Sequence, residues 1–171
     1  MPHIHDQYDF TVTIYIVHDG KLLLVNHPRY GMWLPVGGHI ELDEDPDHAL
    51  LREIQEETGL KTEILSQRAD FVSEGVKPLL QPHYIDVHDA NPPHKHIGLI
   101  YFARALNNKF SKSSEHSDMR WVSSDEFDSP DYNLTEAIKF YGKKAIDHEK
   151  QSWKHKRKPV QYPLKTTKGV L

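Results

Sequence analysis

Residues 45–59, DPDHALLREIQEETG, carry the signals for both ends of a helix. Asp45 offers a side-chain acceptor to the free amides of a first turn. Pro46 suits the first helical position, and Gly59 the left-handed residue just past the end. On a helical wheel with Leu50 at zero, Ile54 and Leu51 form an apolar edge that must find a core. Glu57, Glu53 and Glu56 occupy one arc beside that edge, and Arg52 lies within i,i+4 reach of Glu56. Like charges at this spacing cost roughly 0.2–0.5 kcal/mol per pair. A solvated amphipathic face is the plain reading of such a helix. Two features speak for more: the Gly37-Gly38 pair ahead of it, where backbone can approach an ion or phosphate closely, and a single arginine among the acids. Clustered hard oxygens suit Mg²⁺ or Mn²⁺, whose charge offsets the repulsion.

Around this helix the chain alternates extended and turn segments. Tyr8 to Val17 and Lys21 to Val25 read as a hairpin turned at Asp19-Gly20. Further strands are expected over Thr62 to Glu74, His83 to His88, His96 to Ala105 and Met119 to Ser123, with a second helix from Leu134 to Ile146. Strands around two helices in 171 residues argue one mixed α/β domain, placed at residues 1–147. From His148 onward seven Lys/Arg stand against one acid, a net of +6; with −4 overall, residues 1–147 carry −10. Residues 148–171 are therefore expected to form a basic C-terminal tail or arm. There are no cysteines, which excludes thiolate chemistry and a disulfide scaffold. No apolar run is long enough for a membrane span and no signal peptide is evident, so a cytoplasmic protein is expected.

The stretch from Gly38 to Leu60 resembles the Nudix box, G-x5-E-x7-R-E-U-x-E-E-x-G-U with U aliphatic. It matches at every specified position: Gly38, Glu44, Arg52, Glu53, Ile54, Glu56, Glu57, Gly59 and Leu60. The lead-in WLPVGGHIE and the later MRWVSSDEF are similar to family segments too, so the likeness covers most of residues 8–146. It implies a Nudix-type α/β/α sandwich with a mixed β-sheet and a loop-helix. It also implies Mg²⁺-dependent (or Mn²⁺-dependent) hydrolysis of a diphosphate linkage in a nucleoside diphosphate derivative by metal-activated water. The derivative is a nucleoside triphosphate, oxidised ones included, or a related nucleotide. Glu53, Glu56 and Glu57 are the implied metal ligands, helped by the Gly38 carbonyl. Glu53 is favoured over Glu56 as general base, and Arg52 is expected to brace the glutamates. Glu41, Glu44 and Glu115 are candidates for a further metal or base, with Asp118 beside the last. Family members often carry Gly where this chain has Asp43.

Specificity must come from outside the box. Arg29, Tyr30 and Trp33 lie near the glycine loop and are candidates to meet phosphate or base, Trp33 equally being a core aromatic. On a strand, Tyr84, Asp86 and His88 share one face, as do His94 and His96. His88 and His96 are candidate substrate or metal contacts, against a reading as polar residues on an open sheet face. The proline expected after the box in ADP-ribose hydrolases and the tyrosine of dinucleoside-polyphosphate hydrolases are not matched, since Pro78 and Tyr84 lie too far along. A small-molecule nucleotide is the expected partner and no membrane is. The alternatives are a nucleotide-sensing module without hydrolysis, or RNA contacts through the basic tail. A homodimer is left open by the resemblance.

Overall fold

The computed structural model describes residues 7–28, 31–111 and 116–154, with 153 and 154 described by backbone alone. The hairpin forms as expected: β1 (Tyr8–His18) turns at Asp19-Gly20, both left-handed, into β2 (Lys21–His27). Short strands β3 (Met32–Leu34) and β4 (Val36–His39) follow, then α1 (Pro46–Thr58). The chain continues through β5 (Thr62–Ile64), β6 (Tyr84–Asn91), β7 (His94–Ala105), β8 (Asp118–Ser123) and α2 (Glu136–Lys154).

The strands build one mixed sheet whose spine is the parallel pair β1–β7, in register from Tyr8↔Lys95 to Val17↔Arg104. The other edge of β1 is shared, by β4 at Thr11–Ile14 and by β2 at its end. β2 also pairs with β3 and β8, while β7 pairs with β5 and β6.

Strand alternation sorts the two faces. Val12, Ile14 and Ile16 pack with Leu50 and Ile54 of α1. Tyr15 and Val17 pack with Ile138, Ala145 and Ile146 of α2. Each helix thus covers one face, giving the sandwich. Among the described residues no helix is long and apolar enough to cross a membrane.

Two segments differ from expectation. The strand expected over Thr62–Glu74 stops at Ile64, because β5 and β6 together occupy the available edge of β7. The following loop is instead tied to α1: Arg68 Nη2 donates to Asp47 Oδ2 at 2.8 Å, and the Leu80 amide to Asp47 Oδ1 at 3.0 Å. The second helix runs on to Lys154, past the expected start of the tail at His148. Polar contacts hold this extension, where apolar periodicity has ended. Glu149 is buried and accepts from the Gly20 amide at 3.1 Å, and Arg104 of β7 bonds to Ser152 Oγ. The tail beyond residue 154 lies outside the described residues.

Candidate active site

The site is set by how α1 begins and ends. The Asp45 side chain accepts from the amides of Asp47 and His48, at 3.0 and 3.1 Å. Gly59 closes the helix with φ 63°, its amide donating to Gln55 O at 3.0 Å. Between these caps the wheel lays Glu53 and Glu57 against β4, where they are only 9% and 5% exposed. The Glu56 side chain, one step round, is 61% exposed.

Two backbone contacts explain why glycines precede the helix. A Cβ at Gly38 would collide with the Glu53 carboxylate, so this backbone lies directly against those oxygens. The amide of Gly37 donates to Glu57 Oε1 at 3.4 Å. Gly37 itself sits against the β1 backbone, where a Cβ would meet Val12 O.

Arg52 gathers the carboxylates. Its Nη1 donates to Glu53 Oε1 at 2.7 Å and to Glu56 Oε2 at 3.2 Å. Its Nη2 and Nε grip both oxygens of Glu44, at 2.6 and 3.1 Å, a bidentate fork that lysine could not reproduce. Nη2 also donates to the His39 carbonyl at 3.0 Å. The guanidinium bonded to Glu44 holds that carboxyl below its ordinary range, and the carboxylates raise the Arg52 pKa in return. Glu44 closes the loop as well, accepting from the Glu41 amide at 3.1 Å, and Glu41 is exposed.

One residue here has no counterpart in the sequence reading. His116 is buried, and its Nε2 lies 3.1 Å from Glu57 Oε2. Ser117 beside it donates through its amide to Asn26 O at 3.0 Å, fixing the approach to β8. In SSEHSDMRW the acids Glu115 and Asp118 carry the ligand chemistry, and a lone histidine between them has no motif spacing to mark it.

The carboxylates of Glu44, Glu53, Glu56 and Glu57 thus face one arginine and His116. Their hard oxygens, with the Gly38 backbone in contact, fit a divalent cation such as Mg²⁺. The NUDIX domain model matches residues 7–142. The chain belongs to the Nudix hydrolase family. It is 33% identical over 97 residues to a CTP pyrophosphohydrolase of Escherichia coli (strain K12), 53% of this chain and 72% of that one. A Nudix-family hydrolase structure from Clostridium perfringens is similar at 30% identity and TM-score 0.69, covering 81% of this chain and 96% of that one. A MutT Nudix hydrolase from Burkholderia pseudomallei shares the fold at 23% identity and TM-score 0.58, covering 84% and 98%.

The remaining candidates of this Nudix chain are placed unevenly. Trp33 is 8% exposed and packs edge-on to Tyr132 at 5.4 Å, with Arg120 over its ring at 5.4 Å. It is a packed aromatic of the α2 side and offers no open stacking platform. Asp118 opens β8 and accepts from Arg120 Nε at 2.9 Å. Arg29, Tyr30 and Glu115 lie outside the described residues. His88 and His96 pair across β6 and β7, and Asp86 of the same face accepts from Tyr141 Oη of α2 at 3.0 Å. Gly38, in contact with Glu53, faces α1. These histidines therefore stand on the other side of the sheet from the glutamates.

Proposed function

We propose that this protein is a Mg²⁺-dependent pyrophosphohydrolase that cuts a diphosphate linkage in a nucleotide, with nucleoside triphosphates as the first substrate class. The observation that carries the reading is the Arg52 clamp, which holds Glu44, Glu53 and Glu56 in one cluster beside Gly38. The similarity to a CTP pyrophosphohydrolase supports the substrate class.

In this reading Glu53, Glu56 and Glu57 hold the ion with the Gly38 carbonyl. Mn²⁺ can substitute for Mg²⁺. A divalent cation held there would supply charge neutralisation at phosphate oxygens and a lowered pKa of water. The protein's part is positioning. Arg52 fixes the rotamers of Glu44 and Glu53, and Glu53 takes the proton from the attacking water, with Glu56 second in line. Glu41 and Glu44 stand at the loop end of the cluster, available to a further ion. The intact arginine clamp favours hydrolysis over a sensing module.

The test is a Mg²⁺-dependent screen of nucleoside triphosphates, nucleotide sugars, ADP-ribose and dinucleoside polyphosphates, followed by Glu53→Gln and Glu56→Gln on the best substrate. Each variant is expected to lose about 10²–10⁴-fold in kcat with its circular dichroism unchanged. Full turnover by both would sink the assignment.

A further inference from the structure

The face of the sheet away from the glutamates carries a second cluster, and cross-strand register explains its assembly. His39 of β4 pairs with Thr11 of β1, Asp9 of β1 with His96 of β7, and His88 of β6 with His96. Asp9 lies two residues before Thr11 and His94 two before His96, so all six side chains emerge on one face. Gly38 and His39 are consecutive, which sends one toward Glu53 and the other to the opposite side.

The donor atoms converge. His39 Nε2 and His96 Nε2 are 3.2 Å apart. Asp9 Oδ2 lies 3.1 Å from His94 Nε2 and 3.6 Å from His39 Nε2. One ligand nitrogen from each of the three histidines falls within 4.8 Å of the other two. Zinc–nitrogen bonds of about 2.0–2.1 Å in a tetrahedron put neighbouring donors about 3.3–3.4 Å apart. Three of the six donor spacings, at 3.1, 3.2 and 3.6 Å, therefore lie near the edges of a tetrahedral site, and modest side-chain movement closes the rest.

We propose that His39, His94, His96 and Asp9 form a binding site for a divalent transition metal of the zinc class, separate from the glutamate cluster. Three imidazoles and one carboxylate select Zn²⁺, Co²⁺ or Ni²⁺ over Mg²⁺, which demands oxygen ligands in an octahedron. His88 adds a flank: its ring is 5.4 Å from that of His96, and its Nδ1 is 3.0 Å from Asp86 Oδ1. The competing account is a metal-free cluster in which one imidazole donates to the other and Asp9 pairs with His94.

The test is calorimetric titration of Zn²⁺ into the full chain with excess Mg²⁺ present. The wild type is expected to bind one equivalent. His94→Ala with His96→Ala should weaken that binding about 100-fold or more. Glu53→Gln with Glu56→Gln should leave it intact. Co²⁺ in place of Zn²⁺ should give the intense visible band of a tetrahedral site, absent from the histidine double variant. Should that variant fail to fold by circular dichroism, His39→Gln serves instead, with about 10-fold weaker binding expected. The proposal is overturned by a wild type that takes up no Zn²⁺, by histidine variants that bind it unchanged, or by loss of binding in the glutamate variant.

Discussion

Gly38 carries a constraint that acts through another residue. Its missing side chain is filled by the Glu53 carboxylate, so Gly38→Ala must push that carboxylate away from the backbone. The alanine is expected to lower kcat by about 10²-fold, as misplacement by an ångström does, while the melting temperature changes little. Paired measurements of turnover and thermal unfolding check this, and unchanged kcat would refute the close-contact argument. The glutamates themselves were readable from the box spacing, because a helix converts spacing directly into angle. His116 was not, because its role depends on β8 carrying the preceding segment to Glu57, a contact between residues 59 positions apart.

At the scale of the element, α1 depends on its ends. The Asp45 carboxylate caps two amides and also meets Lys77 Nζ at 2.6 Å. Asp45→Ala should cost about 1 kcal/mol of stability, and Asp45→Asn less, because the amide oxygen preserves the cap and loses only the charge. Urea unfolding of the two variants separates these contributions. Equal costs would assign the loss to Lys77. Caps, the proline and the closing glycine made α1 legible before the structure, as Asp19-Gly20 did the first hairpin. The 65–83 loop and the last turns of α2 were not. The loop is held by Arg68 and Asp47, and the helix end by Glu149 and Arg104. Such polar contacts between distant segments leave no periodic trace.

For the whole molecule, acid stability is expected to depend on a half-buried imidazole. His83 stacks on Phe102 with ring centroids 4.2 Å apart, and its Nδ1 accepts from the Phe102 amide at 3.3 Å. Burial, with His148 nearby, pushes its pKa down to about 4. Between the ordinary histidine value of about 6.5 and that lower one, the unfolded chain binds the proton and the folded chain does not. Stability is thus full above about pH 6.5 and falls as pH drops toward 4. His83→Phe is expected to flatten the melting temperature over this window. An unaltered pH slope would place the acid sensitivity elsewhere. The two-faced packing that half-buries His83 was foreshadowed by the alternation in β1, but the order of strands was not, since pairing partners lie far apart in the chain.

The β1–β7 pairing has a temporal consequence. Tyr8 pairs with Lys95 and Val17 with Arg104, a constant separation of 87 residues. At ribosomal rates of about 5–20 residues per second, β1 waits roughly 4–17 s for its parallel neighbour to be made. During that interval the other edge of β1 can pair with β2 and β4, but the edge that receives β7 stays open, and such an edge is a template for wrong association. The newborn chain is therefore at greatest risk of aggregation before residue 104 emerges, long after the helix with its glutamates has been synthesised.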